Sequence, residues 1–275
     1  MNDTSKRYWS SAVSHVKDNA VYIRGYDLGD IIGKLDFASA TFLLIRGRLP
    51  TAGEARMVNG VLCSVLDYAL KKPGTVAARF CVSSNPSMVA GLATSVLTAG
   101  EYSLAPDQTG SFLKATFATA QSAETFDQAA ESLVAQMRSK RERVPGLGHP
   151  AFRYIDPRAE QLKTLAIETG VWGDMCEWYE AVHRAFIGQA NKPEMVINEV
   201  GMMGAILAQM DFTPAEMTGL AVISTLPGVI AHISEEMESK VRIRTIPDEE
   251  VSYSVEVKDF SADFLQSGLT QSSNP

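Results

Sequence analysis

The segment from Val144 to Arg158 has the residue types of a binding site for an anionic substrate. Two glycines precede His149, and glycine lets the backbone approach a ligand closely and present its N–H groups. Arg153 and Arg158 follow four and nine residues after this histidine. Guanidinium groups pair with carboxylates and phosphates, so the segment predicts a substrate that carries such groups. The structural alternative for the same residues is a glycine-rich turn before a capped helix.

The other three histidines carry weaker chemical signals. His183 lies at helical spacing among aromatic and aliphatic residues, which is typical of packing. His15 lies in a polar leader segment. His232 lies in a long apolar run, shortly before Glu235 and Glu236.

The elements that must position these residues are predicted to be helices. Three helices begin with a capping residue, and Gly170 ends the second of them. The three starts are Thr51 with Glu54, Asp156 with Pro157, and Thr213 with Pro214 and Glu216. Apolar spacing predicts further helices over 36–46, 87–100, 110–120, 124–140, 174–190 and 196–210.

Strand signals are few. One short candidate is Val21–Ile23, and the other is an alternation of apolar and polar residues from Val251 to Val257. The sequence therefore predicts a mainly α-helical protein with minor β strands near both ends.

Two uncharged runs, 80–100 and 217–234, are long enough to raise the question of a membrane. Both contain hydroxyl, amide, proline or histidine residues whose burial in lipid is costly. We expect both to be buried core helices, and we expect no membrane partner.

Composition excludes several classes of protein. The 275 residues include 25 Lys and Arg and 32 Asp and Glu, which gives a net charge of −7 and argues against nucleic acid as a partner. A hydrophobic content of 45% excludes a disordered chain. Three unpatterned cysteines and an amino terminus without an apolar signal segment indicate a cytoplasmic location. No metal-binding motif or phosphate-binding loop is present.

Three blocks of sequence together resemble the citrate synthase superfamily. The stretch Pro145–Arg158 resembles its Gly-x-Gly-His loop followed by Asp-Pro-Arg. Residues 25–51, which end in Gly-Arg-Leu-Pro-Thr, are similar to its amino-terminal segment. Pro227–His232, with the glutamates that follow, resembles the version found in compact citryl-CoA lyases and in the lyase module of ATP-citrate lyase. The resemblance covers about residues 20–245.

This resemblance implies a citrate-synthase-like helical fold with a large and a small helical region. We expect one unit over residues 1–265, with an inserted small domain at roughly 110–210, and a disordered tail over 266–275. It also implies a homodimer or higher homo-oligomer. The substrates would be an acyl-CoA and a small carboxylate, with no tightly bound cofactor.

The resemblance also implies roles for individual residues. His149 matches the histidine that polarises the keto oxygen of oxaloacetate, or handles the hydroxyl of citryl-CoA in cleavage. Arg158 matches an arginine that pairs with a substrate carboxylate, and Arg153 matches a position that can reach a phosphate of CoA. Further substrate-binding positions are His232 and either Arg242 or Arg244, and the CoA loop comprises Val144, Pro145, Gly146, Leu147 and Gly148.

Two catalytic side chains of the family are missing. The histidine of its His-Gly-Gly-Ala motif is replaced by Asp107 or Gln108, of which Gln108 can donate a hydrogen bond to an oxyanion. The family's Asn-x-Asp-Gly motif has Val200 in place of the aspartate. Glu199, one residue earlier and about 100° round a helix, is the nearest carboxylate in sequence.

We expect a citryl-CoA-lyase-like carbon–carbon lyase in which His149 acts with Glu199 or Asp107. Cleavage of a 3-hydroxyacyl-CoA needs a base at the hydroxyl and an acid at the leaving carbon. The alternatives are a condensing enzyme of the citrate or 2-methylcitrate synthase type, and a non-catalytic homologue that binds acyl-CoA or an active partner.

Overall fold

The computed structural model describes residues 8–269. Over this range the chain forms twelve α-helices, two short 3-10 helices (Ala69–Lys71 and Asp248–Glu250) and one small sheet. The α-helices are α1 Leu28–Ile31, α2 Phe37–Arg46, α3 Ala52–Ser64, α4 Pro73–Ser84, α5 Met88–Leu97, α6 Pro106–Gln121, α7 Phe126–Ser139, α8 Pro157–Glu168, α9 Asp174–Ala190, α10 Glu199–Gln209, α11 Pro214–Glu238 and α12 Phe260–Gln266. The mainly helical fold predicted from the sequence is confirmed.

The sheet lies at the amino-terminal end of the described chain. It consists of three antiparallel strands in sequence order, β1 Ser14–Lys17, β2 Ala20–Ile23 and β3 Tyr26–Asp27. His15 pairs with Tyr22 across β1 and β2, and their rings stack with centroids 5.0 Å apart. The strand predicted around Val21–Ile23 is confirmed.

The strand predicted over 251–257 is wrong. Residues 251–259 form neither helix nor strand, and the side chains of Tyr253, Val255 and Val257 are exposed. A strand needs a neighbour to pair its backbone groups, and the sheet of the described chain lies at the other end of the sequence. Alternation alone therefore does not produce a strand here.

The predicted helix starts are confirmed. Thr51 and Glu54 form a reciprocal capping box on α3, and Thr213 and Glu216 do so on α11. Asp156 accepts a hydrogen bond from the backbone N–H at the start of α8. The six helices predicted from spacing are present, and the largest difference is at α6, which begins at Pro106 rather than at 110.

Of the two uncharged runs predicted to be buried helices, only one lies within a single helix. The run 80–100 is not one helix, because α4 ends at Ser84 and α5 begins at Met88, with Pro86 between them. Proline lacks an N–H and disfavours helical geometry in the residue before it. The run 217–234 does lie within one helix, α11, which continues through Pro227.

Helix α11 is long and apolar enough to cross a membrane by length and composition, a test that core helices also pass. It packs against α3, α4, α5 and α6. Beyond Pro227, its Val229 and Ile233 form a small apolar cluster with Ala78 and Val82 of α4. This packing holds the helix together after its proline.

The main core surrounds α10, which packs against α6, α8 and α9. Eight of its eleven residues are buried, from Gly201 to Ala208. Because the helix is fixed on several sides, its first residue, Glu199, is held at a defined position. The division into a large region and an inserted domain at 110–210 stays a prediction, and residues 270–275 of the predicted tail lie outside the described residues.

Two phenylalanines on α2 provide a test of this core. Phe42 is fully buried and packs edge-on against Phe212, whereas Phe37 is 70% exposed. We expect Phe42→Ala to lower the free energy of unfolding by about 3–5 kcal/mol, because it leaves a cavity. Urea denaturation measures this change. Phe37→Ala is the matched control, and an equal loss in both variants would contradict the packing of α2.

Candidate active site

A polar cavity of about 340 Å³ brings together segments that lie far apart in the sequence. One wall is formed by the loop before α8 and by the first residues of α8 and α10. The rest of the lining is formed by residues 65–73, before and at the start of α4, and by residues 101–108, around the start of α6. The cavity therefore lies where several helices begin.

The glycine-rich loop is tied to the start of α10. Gly148 donates to the carbonyl of Val196 at 2.7 Å, and Asn198 donates its backbone N–H to Gly146 at 2.9 Å. The side chain of Asn198 donates to the carbonyl of Gly148 at 2.8 Å. Gly146 has φ +73°, and a Cβ there would lie 2.5 Å from the Cα of Gly201. This close approach requires glycine and fixes the loop against α10.

Arg158 is the centre of an ionic cluster on the cavity wall. Its Nη2 donates to Asp156 at 2.8 Å and to Glu199 at 2.7 Å, and its Nε donates to Asp156 at 3.0 Å. Asp156 is only 1% exposed and also accepts the backbone N–H of Arg158. One guanidinium thus joins the starts of α8 and α10.

The two carboxyl groups of this cluster differ in their protonation. Burial raises the pKa of Glu199 to about 7, an effect that Arg158 opposes and that the negative Asp156 increases. Burial also disfavours ionisation of Asp156, but hydrogen bonds from Arg158 and Glu199 hold its pKa below the ordinary value. Glu199 is therefore the carboxyl group that exchanges a proton near neutral pH.

His149 is held as a neutral ring. Its Nδ1 faces the backbone N–H groups of Ala151 and Phe152, each at 3.1 Å, and its Nε2 lies 3.1 Å from Nη2 of Arg158. Burial and the positive charge of Arg158 lower the pKa of His149. Because Nδ1 accepts two backbone N–H groups, the proton of the neutral ring lies on Nε2, and a second proton on Nδ1 is unfavourable.

Aromatic and basic residues that the sequence did not predict complete the cavity. The guanidinium of Arg158 lies 5.4 Å from the ring centre of Tyr68 and 5.0 Å from that of Phe152. Lys71 and Lys72 also line the cavity. The only sequence signal for these two lysines is that they precede Pro73, the first residue of a helix.

The structure brings together some of the predicted site residues. Those that line the cavity are Gly146, Gly148, His149, Arg158, Glu199 and Gln108, whose amide donates to the carbonyl of Glu101. The predicted residues Asp107, Val144, Pro145, Leu147, Arg153, His232, Arg242 and Arg244 are not part of its lining.

Several of these remaining residues have other contacts. Arg153 donates to the carbonyl of His149 at 2.6 Å. His232 lies 3.2 Å from Asp67, which does line the cavity. Arg244 pairs with the buried Glu236 at 2.5 Å. The structure therefore does not bring a second arginine from this part of the chain to the cavity.

His149, Asp156 and Glu199 also meet the distance criterion for a metal site, with donor atoms within 4.8 Å of one another. Nη2 of Arg158 lies within 3.1 Å of all three side chains. The guanidinium occupies the space between these side chains, so we assign the three groups to Arg158 and not to a metal ion.

The profile of the family described as "Citrate synthase, C-terminal domain" matches residues 52–246. The chain belongs to the citrate synthase family. The family resemblance inferred from the three sequence blocks is thus confirmed, and the glycine-rich loop, Arg158 and Glu199 all lie within the matched residues.

Solved structures and a curated relative agree with this assignment. Citryl-CoA lyase from Hydrogenobacter thermophilus has a TM-score of 0.86 and 29% identity, covering 94% of this chain and 100% of that one. ATP citrate lyase from Methanothrix soehngenii has a TM-score of 0.76 and 19% identity, covering 92% of this chain and 42% of that one, which shows the shared fold. A probable ATP-citrate synthase of Caenorhabditis elegans is 24% identical over 245 residues. The match covers 82% of this chain but only 21% of that relative's length.

The protonation of Glu199 predicts a pH-dependent change in stability. The folded-state pKa is raised from 4.5 to about 7, so the stabilising contribution of the protonated form is full below 4.5 and is lost as the pH rises through about 7. We expect Glu199→Gln, which cannot ionise, to be more stable than the wild type at pH 8 by roughly 2–3 kcal/mol, with little difference at pH 4.5.

Urea denaturation at the two pH values measures this difference. Glu160→Gln, at an exposed position of α8, is the control and should show no such gain. An equal effect of Glu199→Gln at both pH values would show that Glu199 titrates in the ordinary range.

Proposed function

We propose that this protein is a carbon–carbon lyase that cleaves citryl-CoA, or a close analogue, into an acyl-CoA and a keto acid. The observation that carries the proposal is the position of Glu199 on the cavity wall, where this largely buried carboxyl with a pKa of about 7 bonds to Arg158 and lies within 4.8 Å of His149. The similarity to a citryl-CoA lyase over the whole of that chain supports the same reaction.

In the cleavage reaction the substrate loses one proton and later gains one proton. The tertiary hydroxyl of citryl-CoA loses its proton, and the bond between the carbinol carbon and the thioester methylene breaks. The carbinol carbon becomes the keto group of oxaloacetate, while the electron pair forms the enolate of acetyl-CoA. The enolate carbon then takes up one proton. Because one proton is lost and one is gained, a single acid–base group can serve both steps.

Glu199 fits this role better than His149. A pKa of about 7 allows the carboxyl to accept and return a proton near neutral pH. Nδ1 of His149 already accepts two backbone N–H groups and Nε2 carries the proton, so the ring is a poor proton acceptor. We propose that Glu199 takes the hydroxyl proton and returns it to the carbon, while neutral His149 donates a hydrogen bond to the substrate oxygen.

The remaining cavity residues would bind the substrate. Nη1 of Arg158 makes no hydrogen bond within residues 8–269 and is available for a carboxylate. Gln108 lies on the wall and can donate to the thioester oxygen, which would replace the missing family histidine. The backbone of Gly146 and Gly148 borders the cavity where the CoA arm would enter. We propose that CoA is a substrate component and not a resident cofactor.

We further propose that the protein acts as a homo-oligomer. The segment from Val241 to Leu269 exposes many large apolar side chains, which is unfavourable in water unless another surface covers them. A second copy of the chain would cover this segment.

Turnover of citryl-CoA tests the role of Glu199. We expect Glu199→Gln to reduce kcat/KM by about 10²–10⁴-fold, because the amide cannot exchange the proton. For the wild type, kcat/KM should rise with pH through about 7, since the carboxylate form is the base. Release of acetyl-CoA, followed by mass spectrometry, measures both. Wild-type activity in Glu199→Gln would exclude this residue as the base, and a wild type that binds CoA without turnover would favour the non-catalytic alternative.

Two variants of His149 distinguish a hydrogen-bond donor from a general base. If the ring only donates a hydrogen bond, His149→Ala should lower kcat about 10²–10³-fold. His149→Gln, which keeps a neutral N–H donor, should recover part of this loss. CoA affinity measured by calorimetry should be similar in both variants. Equal loss of turnover in the two variants would indicate that His149 transfers the proton itself.

A further inference from the structure

Lys72 lines the same cavity as Arg158. It is the residue immediately before α4, and it lines the cavity together with Lys71. Its side chain is half-buried, and its ammonium group donates to the hydroxyl of the buried Thr225 on α11. The long side chain is therefore held in place by a second helix.

The ammonium group of Lys72 forms no ion pair in the described part of the chain. Three carboxylates line the cavity with it: Asp67, Glu101 and Glu199. Asp67 pairs with His232 at 3.2 Å, Glu199 pairs with Arg158, and Glu101 is exposed at the rim. Lys72 is thus a partly dehydrated cation at the edge of the cavity, held on Thr225 and without a bound carboxylate in the described part of the chain.

A partly dehydrated, unpaired charge is unfavourable. Burial accordingly lowers the pKa of Lys72, although the negative Asp67 opposes the shift. An anionic ligand in the cavity would pair with the ammonium group and offset this cost. The arrangement is therefore ready to bind a negative group.

Arg158 by itself leaves such a substrate incompletely bound. Its Nε and Nη2 are already bonded to Asp156 and Glu199, so only Nη1 is available. The predicted second arginine, Arg242 or Arg244, does not line the cavity of its own chain. A substrate with two free carboxylates has one donor at Arg158 and needs another.

We propose that Lys72 binds the second free carboxylate of the substrate and makes the cavity selective for acyl groups that carry two. This inference rests on the proposed function, since it concerns the same cavity. It adds a residue that determines specificity, with Thr225 as the residue that positions it.

Calorimetry with free acids tests the inference without turnover. Citrate and citramalate differ by one carboxylate, because a methyl group in citramalate replaces the carboxymethyl group of citrate. We expect the wild type to bind citrate more tightly than citramalate, and Lys72→Met to weaken citrate binding by about 10- to 100-fold. The affinity of Lys72→Met for citramalate and for CoA should change less than threefold.

Two further variants serve as controls for this measurement. Lys72→Arg keeps the charge and should retain more of the preference for citrate than Lys72→Met. Lys34→Met removes one positive charge from an exposed lysine that pairs with Asp30, away from the cavity, and controls for net charge. It should bind both acids as the wild type does. Circular dichroism establishes that each variant is folded.

Turnover is compared in the same way, by measuring kcat and KM for citryl-CoA and for the corresponding citramalyl thioester. In Lys72→Met the preference for citryl-CoA should fall, mainly because KM for citryl-CoA rises and less because kcat falls. An unchanged citrate preference in Lys72→Met, or a wild type that does not prefer citrate, would overturn the inference. A wild type that binds citrate through Lys72 but cleaves neither thioester would support the inference and contradict the proposed function alone.

Discussion

The site depends on one guanidinium group, that of Arg158. It bonds to a capping aspartate at the start of α8 and to the first residue of α10, and it lies 3.1 Å from the ring of His149. These three contacts fix the relative positions of two helices and a glycine-rich loop. They also set the charges of the site, because two carboxyl groups and an imidazole share one cation. Removing that cation would leave buried charge without compensation, which costs several kcal/mol.

The same arrangement explains how the site can hold an acid–base group at Glu199. The sequence resemblance predicts Val200 at the position of the family aspartate, and the side chain of the neighbouring Glu199 bonds to Arg158. Burial makes its proton exchangeable near neutral pH, while Asp156 next to it stays ionised. Environment, more than residue type, assigns the roles of the two carboxyl groups.

The helix starts and the glycine-rich loop could be predicted from the sequence, because each depends on residues that are close together in the chain. Capping residues such as Thr51 and Asp156 predict helix starts. The glycines before His149 predict a loop that approaches a ligand. Lys72 could not be predicted, because its role depends on a cavity formed by helices distant in sequence. The strand predicted over 251–257 failed for the complementary reason, since its pattern had no neighbouring strand to pair with.

The central claim is that Glu199 moves the proton in a cleavage reaction. Cleavage of citryl-CoA in heavy water tests it most directly, because every exchangeable proton, including that of Glu199, is then deuterium, and each acetyl-CoA formed by cleavage is identified by its one deuterium. The wild type should release acetyl-CoA with one deuterium in its methyl group, and Glu199→Gln should release almost none. Release of singly deuterated acetyl-CoA by Glu199→Gln at the wild-type rate would contradict the account.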